Sequence, residues 1–225
     1  MDWIHHYQLF LFDFDGLLAD TEKLHFLAYK YTCTNRGLTL NWNERQYAQL
    51  ATFCANGLKR ELTSRYPELL KKWDEFYLEK KNTYAKILLE QGTELMPGVA
   101  DLLEALADAD IPRCVVTHSP KDHMKLIRKQ HPILETIPNW ITREDYSKPK
   151  PDPECYQLAI ARFAKPGDKV VGFEDSPRGL KALTGTSAKA FLVTTLVEKP
   201  ELEKLSTEMK FEHTPTFLQL CSERA

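Results

Sequence analysis

Asp13 and Asp15 stand two positions apart at the end of an apolar run, in the stretch Leu9 to Thr21 that reads LFLFDFDGLLADT. Side chains two apart on an extended chain share a face, so these carboxylates can address one bound molecule together. Like charges held that close push one pKa up unless a cation or a strong donor stands with them, which calls for a metal ion, a lysine, or both. A second acidic pair, Glu174-Asp175, ends the apolar run Val170 to Phe173 in the same way. Asp13 with one or both of Glu174 and Asp175 offers hard oxygens suited to Mg²⁺, an ion that takes few carboxylates, keeps some water and accepts phosphate oxygen as a further ligand. Two other segments supply groups for an anion. Thr117, His118 and Ser119 follow Cys114-Val115-Val116 and precede a helical pattern, where a hydroxyl and backbone N–H groups make a phosphate seat. Lys148 opens Lys-Pro-Lys-Pro-Asp-Pro, in which three prolines hold the chain extended and present the ammonium from a stiff loop; Lys150 is its rival for that role.

These groups need elements to hold them. A run rich in Phe and Leu, cut off by Gly16, predicts a fully buried strand in the middle of a parallel sheet, and ligands of open α/β sheets bind outside the carboxyl ends of the strands. Past Thr117 the alternation is regular. It predicts a helix from Pro120 to about Gln130, a strand at Trp140 to Thr142, a helix from Pro153 to Phe163, the strand Val170 to Phe173, a helix from near Pro177, and a strand around Ala190 to Val193. The fold class expected is therefore α/β, a doubly wound parallel sheet. About 100 residues separate the first strand from Cys114-Val115-Val116, where a crossover needs about 30, so something is inserted. The excess is helical in pattern throughout and begins directly after the Asp pair, where a lid over the site would be hinged. The expected boundaries are 1–20 and 93–225 for the α/β core and 21–92 for the helical insertion. Within the insertion Leu69, Trp73, Phe76, Tyr77, Tyr84, Ile87 and Leu88 trace the stripe of one long helix, with Lys71, Lys72, Lys80 and Lys81 expected on its solvated side. Glu198 to Ala225 is polar and mixed, with a short strand expected at Met209 to Phe211 and a helical end.

A net charge of -2 with 28% charged residues gives no basic field, which speaks against a nucleic-acid partner. Cysteines 33, 54, 114, 155 and 221 are scattered, odd in number and without CxxC spacing, as expected of reduced thiols rather than disulfides or zinc ligands. MDWIHHYQ has no cationic region and the apolar run after it is too short for a membrane span, so the expectation is a cytoplasmic, monomeric protein with no membrane partner. His5 and His6 are expected as a surface pair. No GxxxxGK[ST] occurs, which excludes a P-loop nucleotide site.

With these residues in view, the sequence resembles the haloacid dehalogenase-like superfamily of phosphotransferases, in the branch that includes β-phosphoglucomutase and phosphatases of small metabolites such as phosphoglycolate phosphatase. The resemblance runs over essentially the whole chain and rests on four motifs in order: DxD in FDFDG, a Thr after a strand in VVTHS, a lysine before Pro in SKPKPDP, and the acidic pair in GFEDSPRG. It implies a Rossmann-like core with a helical cap. It also implies Asp13 as a nucleophile forming an aspartyl phosphate and Asp15 as general acid and base. Mg²⁺ would be held by Asp13, the backbone carbonyl of Asp15 and Asp175, with Glu174 in direct or supporting contact, while Thr117 and Lys148 neutralise the phosphoryl group. In the cap, His25 stands where the mutase has a histidine linked to closure, Lys81-Asn82 matches its Lys-Asn pair, and Arg60 is available to grip a second phosphate. The segment ATFCANGLKREL departs from the Gly-x-Ser-Arg pattern of the mutases, and His118 replaces a small residue. The function expected is a Mg²⁺-dependent phosphatase of a small phosphorylated metabolite of sugar phosphate type. The alternatives are a β-phosphoglucomutase-type mutase and, in another class, a non-catalytic phospho-ligand-binding relative.

Overall fold

Phe10 and Phe12 point to one side of strand β1 (Leu9–Phe12) and Leu9 and Leu11 to the other, and all four are fully buried, so the strand must be covered on both faces. In this computed structural model, which describes residues 1–53 and 56–224 without the side chains of 52 and 53, β1 lies inside a six-stranded, all-parallel sheet. The other strands are β2 (Arg113–Val116), β3 (Asn139–Ile141), β4 (Val170–Glu174), β5 (Lys189–Val193) and β6 (Glu212–Thr214), in the order β3-β2-β1-β4-β5-β6. The order reverses at β1, between β2 and β4. That is the switch point at which such sheets bind ligands, and Asp13 follows it directly. One face is an aromatic ladder in which Phe10, Phe12, Phe173 and Phe191 stack with neighbouring ring centroids 5.2–6.1 Å apart.

The helical insertion comprises α1 (Glu22–Asn35), α2 (Glu44–Phe53), α3 (Gly57–Arg65) and α4 (Trp73–Gln91). It packs around its own apolar cluster of Phe26, Tyr29, Cys33, Trp42, Tyr47, Leu62, Leu69 and Phe76. Leu24, Ala28, Tyr84, Ile87 and Leu88, at the near ends of α1 and α4, belong to the sheet's core instead, so the cap is anchored by packing as well as by its two chain connections. The remaining helices, α5 (Val99–Asp108), α6 (Lys121–Gln130), α7 (Glu154–Phe163), α8 (Pro177–Thr184), α9 (Lys199–Glu208) and α10 (Phe217–Glu223), complete the core.

The tail departs from expectation. Its strand is β6, starting just after Phe211, and Met209 and Phe211 pack as a lead-in against the core. An edge strand that buries only Thr214 carries no apolar alternation to announce it. The helix α9 was not anticipated because it buries a single residue, Leu205, whereas α10 was, and it inserts Phe217 and Leu220 under the sheet. Leu69 sits in a short 3-10 turn (Pro67–Leu70) ahead of α4. Cys33, Cys114 and Cys155 are buried free thiols and Cys221 a half-buried one; Cys54 lies outside the described residues. His5 and His6 are exposed, and among the described residues no helix is long and apolar enough to cross a membrane.

Candidate active site

The carboxyl ends of β1 and β4 and the loops after β2 and β3 meet the cap at a cavity of about 470 Å³, with Asp13, Asp15, Ser119, Lys150, Glu174 and Asp175 on the core side and His25 and Tyr77 on the cap side. Asp13, Glu174 and Asp175 each present a carboxylate oxygen within 4.8 Å of the others. Lys150 lies against two of them: its ammonium donates to Asp13 Oδ1 at 2.5 Å, to Glu174 Oε1 at 2.6 Å and to the Val116 carbonyl at 2.9 Å. The Tyr156 hydroxyl accepts from Lys150 at 3.1 Å and donates to Glu174 Oε1 at 2.5 Å. The lysine called for by the acidic pair thus stands between Asp13 and Glu174, not between Asp13 and Asp15.

Three buried carboxylates against one ammonium leave an excess of negative charge where water cannot screen it. Burial, reinforced by Glu174 and Asp15, pushes the Asp13 carboxyl up to about 7 despite Lys150, and burial with the neighbouring acids pushes Asp175 well up. Without a metal the cluster must hold a proton. A divalent, oxygen-seeking cation replaces that proton and neutralises the excess, so this donor set fits Mg²⁺. The backbone is shaped to the cluster. A Cβ on Gly179 would stand 1.9 Å from Glu174 Oε2, and one on Gly16, at φ +78°, would stand 2.5 Å from Asp175 Oδ2. Only glycine lets α8 and the turn after β1 approach these carboxylates.

Asp15 has a different setting. Its carboxylate accepts hydroxyl hydrogen bonds from Thr21 at 2.8 Å, Ser119 at 2.6 Å and Thr117 at 3.2 Å. Thr21 precedes α1, so the position of Asp15 is tied to the entry of the chain into the cap. Thr117 also accepts the Ser119 N–H at 3.0 Å, and its own N–H is taken by the Ile141 carbonyl, which fixes the loop after β2. His118 is at the rim, its Nδ1 2.9 Å from the Tyr146 hydroxyl.

Three expected residues are not where the sequence placed them. Lys148 is 71% exposed and only approaches Asp152, at 3.9 Å, while Lys150, its rival, is 8% exposed in the cluster. The backbone N–H groups of Ser147 and Lys148 donate to Glu154, at the first turn of α7, which pins Lys148 outside the cavity. Lys81 lies in solvent over the ring of Tyr77, and its neighbour Lys80, expected on the solvated side, is 5% exposed. Lys80 is 2.8 Å from His25 Nδ1 and over the rings of Tyr29 and Tyr84, and His25 stacks on Tyr84 with centroids 3.9 Å apart. Burial lowers Lys80 to about 8 and holds His25 well below its ordinary range. Arg60 is exposed on α3 and lines neither this cavity nor its extension into the cap. One residue along a helix is a turn of 100°, enough to exchange inside for outside. That extension, about 410 Å³, shares His25, Tyr77 and Arg178 with the first cavity and adds Lys59, Lys80, Tyr29, Tyr47 and Trp73.

Glu22, Tyr156 and Arg178 were not singled out from the sequence. The available sign for Glu22 was its place three residues before His25, on the same helical face. Tyr156 carried none, because its contact with Glu174 is made only when α7 packs on the sheet beside β4.

The family model for haloacid dehalogenase-like hydrolases matches residues 10–193. The Drosophila melanogaster protein named "Probable pseudouridine-5'-phosphatase" is 31% identical over 190 residues, covering 81% of this chain and 80% of its own length. Protein CbbY of Cereibacter sphaeroides is 28% identical over 192 residues, covering 81% and 82%. The crystal structure of a predicted phosphoglycolate phosphatase from Haemophilus somnus 129pt superimposes with a TM-score of 0.77 at 18% identity, covering 98% of this chain and 99% of that one. With the DxD strand end, the acidic pair on β4 and the helical cap in one matched span, the chain belongs to the haloacid dehalogenase-like hydrolases.

Proposed function

We propose that this protein is a Mg²⁺-dependent phosphatase of a small phosphorylated metabolite, working through a phosphorylated Asp13. The observation that carries this is the unlike setting of two carboxylates on one cavity wall: Asp13 against Lys150 beside two further acids, and Asp15 under three hydroxyls. Unlike environments for two nearby acids assign them unlike roles. Asp13 attacks phosphorus, the P–O ester bond breaks, and Asp15 gives its proton to the departing oxygen. Water then attacks the aspartyl phosphate, Asp15 takes a proton from it, and the bond to Asp13 breaks to release inorganic phosphate. Asp13, Asp175 and Glu174 would hold Mg²⁺, which when bound neutralises charge on the phosphoryl oxygens. Lys150 keeps Asp13 oriented and adds a fixed positive charge. The similarity to a protein named as a pseudouridine-5'-phosphatase supports phosphomonoester hydrolysis. A mutase would draw on Arg60 and Lys81 for its second phosphate, and both stand in solvent.

The test is release of inorganic phosphate from an aryl phosphate, with Mg²⁺ and with EDTA, by the wild type and Asp13→Asn. Turnover that needs Mg²⁺ and is lost in Asp13→Asn supports the reading. No turnover, or turnover that survives the substitution, removes it. A mutase would convert β-glucose 1-phosphate with catalytic glucose 1,6-bisphosphate into glucose 6-phosphate rather than free phosphate.

A further inference from the structure

Tyr156, in the first turn of α7, is fully buried in the apolar cluster that holds Leu9, Leu11, Val116 and Leu180, where a phenylalanine ring would fill the same place. The hydroxyl therefore needs a reason of its own. It lies between two charged groups, 2.5 Å from Glu174 Oε1 and 3.1 Å from the Lys150 ammonium. An ammonium has no lone pair, so it donates to the phenol oxygen, and the single phenol proton goes to Glu174. Lys150 donates to the same Oε1 at 2.6 Å. A carboxylate oxygen has two lone pairs, and on Oε1 both are taken. Lys150 alone does not fill them: its three N–H bonds are divided among Asp13, Glu174, the Val116 carbonyl and Tyr156. The second donor is the phenol.

Glu174 is thus left with one oxygen, Oε2, for a cation, and its carboxylate is held against turning. Gly179 packs on it so closely that a Cβ there would stand 2.1 Å from the carboxylate carbon. Such a restriction separates two common divalent ions. Ca²⁺ gathers about 6–8 oxygens and readily takes both oxygens of one carboxylate, whereas Mg²⁺ takes about six, keeps several waters and tolerates little departure from its preferred arrangement. Selectivity between them follows from how many oxygens a site can offer and how freely those oxygens move. Resting on the Mg²⁺ assignment above, and not on the hydrolysis, we infer that Tyr156 is a positioning residue that sets metal selectivity. By filling Glu174 Oε1 it confines this carboxylate to one-oxygen ligation and favours Mg²⁺ over Ca²⁺.

The experiment measures binding of Mg²⁺ and of Ca²⁺ to metal-stripped protein by calorimetry, in wild type, Tyr156→Phe and, as control, Tyr146→Phe. The control loses a hydroxyl that bonds His118 and the Thr117 carbonyl instead. The wild type should bind Mg²⁺ more tightly than Ca²⁺. Tyr156→Phe frees a lone pair of Oε1, so the ratio of the two Kd values should move toward Ca²⁺ by at least about tenfold, while Tyr146→Phe should leave it within about twofold. A hydroxyl that served only the packing of α7 would weaken both ions together, and an unchanged ratio in Tyr156→Phe overturns the inference. So does a wild type that binds neither ion, or Ca²⁺ as tightly as Mg²⁺, a result that needs no variant to fold. A protein that shows the shift but releases phosphate from no phosphomonoester sinks the hydrolysis proposed above and keeps this inference. A Mg²⁺-dependent phosphatase whose ion preference ignores Tyr156 does the reverse.

Discussion

Replacing Lys150 by Met keeps most of the side-chain stem and removes the ammonium that contacts both Asp13 and Glu174. The pair is deeply buried, with the Lys150 side chain 8% exposed and that of Glu174 1% exposed. Breaking a buried pair on one side leaves the partner charge uncompensated and costs about 3–5 kcal/mol. For a chain of this size each kcal/mol lowers the melting temperature by about 2–4 °C, so Lys150→Met should melt about 6–20 °C below the wild type at pH 8. Lys148→Met removes an exposed ammonium 3.9 Å from Asp152 and should change the melting temperature by less than about 2 °C. The loss at Lys150 should shrink at pH 5, where the stranded Asp13 carboxyl, raised by burial to about 7, takes up a proton. It should also shrink with saturating Mg²⁺, which stabilises the folded state by binding to it alone. Differential scanning calorimetry of the two variants, at both pH values with EDTA or Mg²⁺, reads all of this. Aryl phosphatase kcat should fall by about 10²–10³ in Lys150→Met and stay near wild type in Lys148→Met. If Lys150→Met melted with the wild type while Lys148→Met fell, the assignment of the buried lysine would be wrong.

Three further outcomes follow from the same geometry. Burial raises Asp13 from an ordinary 3.8 to about 7, so between those values the folded protein binds a proton that the unfolded chain releases, and stability without metal should fall with rising pH by about 1.4 kcal/mol per unit up to about 7. Melting curves from pH 5 to 8 should show that slope in EDTA and a flatter one in Mg²⁺; parallel curves would mean that the ion does not replace the proton. Gly179→Ala puts a methyl group where the Glu174 carboxylate lies, and should weaken Mg²⁺ activation of turnover at least about tenfold while Gly167→Ala, whose added Cβ meets nothing within 4 Å, should leave it unchanged. Ser119→Ala removes the shortest of the three hydroxyl contacts to Asp15 and should shift the pH profile of kcat more than it raises KM.

Much of this architecture is written in local chemistry, and the places where it is not share a cause. The strand before Asp13 is legible because a strand buried on both faces must be apolar throughout, and a carboxylate can follow only where the sheet ends. The same rule exposes Glu174 and Asp175 behind β4, and a crossover far too long for one helix betrays the cap. Lys150 was not separable from Lys148, because both precede proline in one extended segment; the choice is made by Glu154, which gathers the N–H groups of Ser147 and Lys148 and turns the segment so that Lys150 faces inward. Lys80 looked solvated because a helical stripe is judged by apolar side chains, whereas this lysine is buried by the faces of Tyr29 and Tyr84 and by the His25 ring, contacts made across two helices. Glu22 was silent for another reason: an acid in the first turn of a helix is ordinary in any sequence, and only the folded chain sets it on the cavity wall beside Asp13 and Asp15. Strand ends are thus readable from one segment at a time. The cation that pairs with them is fixed by tertiary contacts that no single segment carries.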